Sequence, residues 1–140
     1  RGGNMKSEVL VKDVMWSEVD IIDRKTTVQA ALNTMQYKKT KMLIVDKAHE
    51  HDEYGVVLIA DIARKVIALN KSLERINVYE IMNKPAISVN SKMNIRYCAR
   101  LLTRFNLSRC PVIDEGKIVG VVSLTSIVFM NHEYRAKRKI

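Results

Sequence analysis

Apolar and polar positions alternate or cluster in short runs broken by turn residues, and the clearest such series spans Asn106 to Val128. Cys110 to Asp114 is a short apolar run carrying a proline, Glu115-Gly116 supplies a turn, and Lys117 to Ser123 is rich in β-branched residues. This order predicts strand, tight turn, strand. A helix is expected directly after Ser123, whose hydroxyl falls at a junction of the kind that holds anions. Gly120 interrupts the second strand, and a missing side chain there points to close approach by another backbone or a ligand.

The same reading extends upstream. Val11, Val14 and Met15 predict a short helix over one end of a sheet, and Asp20 to Asp23 a short strand. Thr26 or Thr27 caps a helix in which Val28, Ala31, Leu32 and Met35 recur at i, i+3, i+4 and i+7, the spacing of one buried face. Met42 to Val45 is continuously apolar, as in a buried strand, with Tyr54 to Ile59 as its hairpin partner. Asp61 to Leu69 predicts a helix with Ile62, Val66 and Leu69 inward, and Asn70 to Ile76 a linker. Val78, Ile81 and Met82 then form a second leading helix, which Pro85 stops before a strand at Ile87 to Val89. The following helix places Ile95, Cys98, Ala99, Leu102 and Phe105 on its inner face.

These elements occur twice. Lys39 to Ile67 repeats the plan of the later stretch, with Asp46 answering Asp114 and Gly55 answering Gly120. Val11 to Met15 answers Val78 to Met82, and Thr27 to Leu32 answers Asn94 to Ala99, at offsets near 65 to 68 residues throughout. Such units bury their apolar faces against one another.

The order V-x-D/E-h-M, extended segment, helix, h-P-V-h-D and G-h-h-S/T-x-x-D/S resembles the CBS domain, and its tandem form resembles a Bateman module. The likeness runs from about Val11 to Met130. It implies an α+β fold of two β-α-β-β-α repeats packed sheet to sheet with pseudo-twofold symmetry. The expected division is residues 1–10 as an N-terminal tail or linker, 11–70 as repeat one, 71–131 as repeat two and 132–140 as a basic C-terminal tail. Arg1-Gly2-Gly3-Asn4 is left outside the fold.

Composition narrows the class. With 47% hydrophobic and 28% charged residues the chain is an ordinary soluble globular domain. No apolar run reaches the roughly 18 residues of a membrane span and no signal-peptide pattern opens the chain, so a cytoplasmic location is expected. Two cysteines, Cys98 and Cys110, are too few for a disulfide framework or a Cys-based zinc site and read as buried thiols. The net charge of +9 is the least ordinary number, and it suits an anionic ligand, an anionic polymer or simple solubility.

Candidate chemistry is that of binding. No Ser/His/Asp order, P-loop or G-x-G-x-x-G is present, so no enzyme activity is expected. His49-Glu50-His51-Asp52-Glu53 could hold a transition metal in an extended segment, but reads more simply as a solvated hairpin loop. Arg96, Arg100 and Arg104 form a basic stripe at i, i+4 and i+8. Tyr134 to Lys139 is a short basic tail expected to be disordered.

The CBS resemblance implies two clefts that commonly hold adenosyl ligands: AMP, ADP, ATP or S-adenosylmethionine, with no cofactor required. In that pattern the closing aspartate of G-h-h-T-x-x-D holds ribose hydroxyls and the threonine helps with phosphate. Repeat one keeps the aspartate, Asp61, but has Leu58 at the hydroxyl position. Repeat two keeps a hydroxyl, Ser123, but has Ser126 at the aspartate position. Lys41 and Arg109 are expected to supply cations before the two core strands, with Met42, Cys110 and Pro111 beside them. Val19 and Asp20, and Ala86 and Ile87, are the expected adenine-facing positions. Asp61 also reads as a simple helix cap. The implied function is a regulatory sensor acting on an unknown partner protein, homodimeric through its helices. Two other readings stand beside it: an assembly module with vestigial clefts, and nucleic-acid binding through the stripe and tail. The second is disfavoured by the lack of aromatics clustered with the basic residues.

Overall fold

The computed structural model describes residues 8–138. In chain order its helices and strands are α1 (Val11–Val14), β1 (Asp20–Ile22), α2 (Val28–Thr34), β2 (Met42–Val45), β3 (Gly55–Leu58), α3 (Ile59–Ile62), α4 (Ile95–Arg104), β4 (Arg109–Asp114), β5 (Lys117–Ser123) and α5 (Leu124–Arg138). They divide between two compact units that cut across the sequence repeats. One unit is contiguous, Glu18–Ala86, and the other joins the described residues up to Ser17 with those from Ile87 onward.

The contiguous unit holds β1 to α3. The Thr27 hydroxyl caps α2, and a single 3-10 turn at Lys38–Thr40 leads into β2. β1 and β2 run parallel and β2 and β3 antiparallel in a three-stranded sheet. All four residues of β2 are buried, as a continuous apolar run demands. After α3 the helix widens into a π turn over Ala63–Ile67. That wider turn carries Leu69 off the inward face, so Leu69 is exposed rather than buried, while Ile62 and Val66 enter the core as expected.

The other unit holds α1 and everything from α4 onward. β4 and β5 form a hairpin turned by Glu115 and Gly116, both with positive φ. The strand expected at Ile87 to Val89 shrinks to one parallel bridge, Val89 to Val112, because only Val89 exchanges backbone hydrogen bonds with β4. Phe105 is exposed, since α4 ends at Arg104 and the chain leaves the helical path there. The basic tail, expected to be disordered, is helical through Arg138: Ile127, Met130 and Tyr134, at i, i+3 and i+7, anchor α5 on the core. Lys139 and the first four residues lie outside the described residues.

The exchange between repeats is reciprocal. The leading segment of repeat one packs in the unit that carries the body of repeat two, and Val78–Glu80, a 3-10 turn, packs on the body of repeat one. Val11 N–H donates to Met93 O and Ile95 N–H to Val9 O; Val78 N–H donates to Thr26 O and Val28 N–H to Ile76 O. These pairs correspond residue for residue.

The exchange explains the V-x-D/E-h-M motif. Val11 and Val78 are fully buried, as are Val14 and, nearly so, Ile81. The acid accepts a backbone N–H three residues back, Asp13 from Leu10 at 2.9 Å and Glu80 from Asn77 at 2.8 Å. The methionine lies over the strand glycine: a Cβ on Gly120 would meet Met15 Sδ at 2.8 Å, and one on Gly55 would meet Met82 Sδ at 2.6 Å. A Cβ on Gly120 would also meet the Trp16 carbonyl oxygen at 2.6 Å, so the close approach there is backbone.

Candidate functional site

Lys41, Met42, Leu58 and Asp61 are brought together at one end of the three-stranded sheet. Met42 pairs with Leu58 across β2 and β3, and the Ile59 N–H donates to the Lys41 carbonyl at 3.1 Å, which sets the start of α3. Lys41 adopts a left-handed conformation and is exposed.

Asp61 is 9% exposed. It does not cap α3: the N-cap is Leu58, which offers no side-chain acceptor, and Asp61 stands three residues further on. Its Oδ1 accepts from Arg64 Nη1 at 2.8 Å, and among the described residues its Oδ2 has no hydrogen bond. Arg64 has no counterpart in the repeat pattern, although the D-x-x-R spacing puts the two side chains on one helix face.

Val19 and Asp20 open β1. The Asp20 carboxylate is committed to the fold, since it accepts from the Gln36 and Tyr37 N–H groups at 2.9 Å each. Backbone atoms, not this side chain, are therefore what β1 can offer a ligand. Ala86 and Ile87 fall on opposite sides of the boundary between the units, and neither lies in a strand.

In repeat two the hydroxyls satisfy one another. Ser123 Oγ accepts from the Ser126 N–H at 3.0 Å, Ser126 Oγ accepts from the Ser123 N–H at 3.0 Å, and the Ser126 hydroxyl donates back to the Ser123 carbonyl. This reciprocal capping box starts α5, and both residues are buried. Thr125 Oγ1 lies 3.1 Å from Ser123 Oγ.

Arg109 and Lys41 are not equivalent. Arg109 is the first residue of β4, opposite Ser123, as Met42 is opposite Leu58. The counterpart of Lys41 is Ser108, whose carbonyl accepts from Leu124 N–H as Lys41's does from Ile59. Asp46 N–H donates to Ile22 O where Ile113 N–H donates to Val89 O, so Asp46 corresponds to Ile113, and alignment on the aspartates Asp46 and Asp114 displaces the upstream match by one residue. Burial lowers the Arg109 pKa, but a guanidinium remains protonated at any ordinary pH. Pro111 and Cys110 are buried in β4. Cys110 shares a hydrogen bond with Cys98, and this bond together with burial pushes the Cys110 thiol well above the ordinary range.

Among the described residues no cluster could hold a metal ion. Asp52 of the His49 loop is instead tied to Lys84 Nζ at 2.7 Å and to the Ala48 N–H at 2.8 Å, which hold its carboxyl below the usual range. No described helix is long and apolar enough to cross a membrane.

The repeats, the exchanged leading segments and the two strand glycines define one architecture, and residues 11–68 and 78–132 each match the CBS domain. The chain belongs to the CBS domain family. CBS pairs are regulatory modules that commonly bind adenosyl ligands. The structure of a hexameric CBS-CP12 protein from bloom-forming cyanobacteria is 35% identical, with a TM-score of 0.83 over 94% of this chain and 76% of that one. The CBS domain pair of protein MJ0100, solved with 5′-methylthioadenosine and S-adenosyl-L-methionine, is 24% identical, with a TM-score of 0.71 over 86% of this chain and 97% of that one. Among curated proteins, MK0525 of Methanopyrus kandleri is 25% identical over 74% of this chain, and the match spans 53% of that protein. A homoserine O-acetyltransferase of Methanobrevibacter ruminantium is 28% identical over 94% of this chain, and the match spans 26% of that enzyme. In relatives named as enzymes the CBS pair is thus one part of a longer protein.

Proposed function

We propose that this CBS pair is a non-catalytic sensor that binds an adenosyl ligand, such as AMP, ADP, ATP or S-adenosylmethionine, at the end of the three-stranded sheet marked by Asp61. The observation that carries the reading is a nearly buried carboxylate that caps no helix and keeps one oxygen without a hydrogen bond among the described residues. A carboxylate accepts two hydroxyl hydrogen bonds, which suits the two hydroxyls of a ribose. Each bond to a charged acceptor contributes about 1.5–3 kcal/mol, or roughly ten- to a hundredfold in affinity. Lys41, exposed beside the site, suits a phosphate or another anionic group. The ligand class agrees with the adenosyl ligands of the MJ0100 pair, which shares this fold.

Only a ligand with different affinities for two states can regulate a partner. Self-association through helices fits this role, and the hexameric relative supports it. Val128 and Phe129 on α5, and Ile67, are exposed apolar side chains suited to such packing.

The test is thermal unfolding against AMP, ADP, ATP, cyclic dinucleotides and S-adenosylmethionine. A ligand at a hundred times its dissociation constant adds about 2.7 kcal/mol, enough to move the midpoint by several degrees. The shift should vanish in Asp61→Ala. A shift that survives in that variant removes the site assignment, and no shift with any compound favours an assembly module. The closed Ser123–Ser126 box, with a hydroxyl where repeat one has Asp61, favours that second reading for its half of the chain.

A further inference from the structure

The charge excess is confined to one unit. Residues 1–17 and 87–140 contain 13 Lys and Arg against 5 Asp and Glu, a net of +8, whereas residues 18–86 contain 11 against 10, a net of +1. The helix α4 carries Arg96, Arg100 and Arg104 with no acidic residue, and all three are exposed. Four residues of helix rise about 6 Å, so the arginines are spaced at about 6 Å along a row of about 12 Å.

A shallow, open furrow runs along the outer face of this helix between Ala99, Arg100, Thr103 and Arg104. Ala99 and Thr103 are four residues apart and so belong to one ridge of the helix; small side chains there lower that ridge and let another helix settle against it. Arg96 also lines a second cavity, of about 260 Å³, together with Glu8 and with Arg135 of α5.

We infer that this face of α4 is a docking site for an acidic amphipathic helix of a partner protein. Carboxylates at i and i+4 on such a helix match the arginine spacing, and an apolar edge fills the furrow. The net charge of the unit steers an acidic partner toward it. A two-fold contact of α4 with α4 of a second copy would set three arginines against three, which opposes that mode of self-docking. A nucleic acid would use the arginine row but not the furrow. Tyr97, the aromatic beside the row, is 54% exposed with the Arg96 and Arg100 guanidinium carbons 5.8 and 5.7 Å from its ring centroid, so a single-stranded oligonucleotide is the control that separates the two kinds of partner.

The probe is a fluorescein-labelled synthetic helix of about 18 residues, long enough to be helical, with glutamate at every fourth position beside a leucine stripe. Anisotropy is read in parallel with a proline-interrupted peptide of the same composition and with a single-stranded oligothymidylate of equal charge. The helix should bind, and bind more tightly than either control. Arg100→Glu/Arg104→Glu should weaken it by at least about tenfold. Thr103→Phe, which fills the furrow and keeps every charge, should weaken it as well. Circular dichroism and Trp16 emission verify that each variant is folded. No binding at low salt, equal binding of the interrupted peptide, tighter binding of the oligonucleotide, or indifference to Thr103→Phe would each overturn the inference. So would sedimentation in which the parent chain self-associates and Arg100→Glu/Arg104→Glu runs as separate copies.

Discussion

Gly120→Ala and Gly55→Ala are the same substitution at matching positions of the two repeats, yet they should differ sharply. At Gly120 the added carbon meets the Trp16 carbonyl oxygen at 2.6 Å as well as Met15 Sδ at 2.8 Å. The carbonyl belongs to a pair of backbone hydrogen bonds, Trp16 N–H to Val121 O and Val121 N–H to Trp16 O, both 2.9 Å, so it cannot yield without breaking them. Overpacking costs about 1–3 kcal/mol. Two weakened hydrogen bonds add about 0.5–1.5 kcal/mol each, and the stiffer unfolded chain returns about 0.4–1 kcal/mol. The net is a destabilisation of about 1–5 kcal/mol, centred on about 3. At Gly55 the added carbon meets the flexible end of Met82 at 2.6 Å, and the nearest backbone atom, Asn83 O, lies at 3.4 Å. A rotamer change costs about 0.5–1.5 kcal/mol, largely offset by the unfolded-state term. Urea unfolding followed by fluorescence of the single tryptophan, Trp16, reports directly on the unit that holds Gly120, and circular dichroism follows both variants. Gly120→Ala within about 0.5 kcal/mol of the parent, or two variants of equal stability, would refute the reasoning.

Ser126→Ala removes half of the box that starts α5 and should cost about 1 kcal/mol, seen as a midpoint lowered by a few degrees in thermal unfolding. An unchanged midpoint would mean the box is idle. Asp114 accepts from the Ser91 hydroxyl and the Ser91 N–H, which hold its pKa below the usual carboxylate value. Its stabilising contribution is complete above the unfolded pKa, near about 4, and is lost as pH falls through the folded value. Asp114→Asn should therefore flatten the acid limb of a urea-midpoint profile below about pH 4, and a limb of unchanged slope would contradict this. Cys98 and Cys110 are buried, and Cys110 is strongly shifted against ionisation. Neither should react with an aromatic disulfide reagent at mildly alkaline pH until denaturant is added, and rapid reaction of the native chain would place them elsewhere.

Periodicity made the helices and the buried hairpins readable because each has one dominant apolar face. Val28, Ala31 and Met35 lie in the core as their spacing required. The failures have local causes. Leu69 followed an α-helical period into a stretch that takes wider turns, and Phe105 sits just where α4 has ended. The CBS resemblance pointed to Asp61, Ser123 and Ser126, yet could not tell a carboxylate left open from hydroxyls closed on each other. That distinction depends on which backbone N–H lies within reach. Nor could sequence place Arg109 against Lys41, because the aspartate that aligns the repeats falls one residue later in repeat two, which is invisible until the ladder is known. The exchange of leading segments was equally hidden: its motif was plain, but the glycine each methionine covers lies in the body of the other repeat.

That exchange dictates an order of assembly during synthesis. The three strands of the contiguous unit and the Val78–Glu80 turn that packs on them have all been made by Ala86. Met15 and Trp16, by contrast, must wait for β5, about a hundred residues downstream, or roughly 5–20 s at ordinary rates of translation. Until then the segment around Met15 and Trp16 has no strand to cover, although it is made before the whole contiguous unit. A ribosome-bound chain stalled once residue 86 has cleared the exit tunnel should already hold a protease-resistant core while its N-terminal segment is still cut.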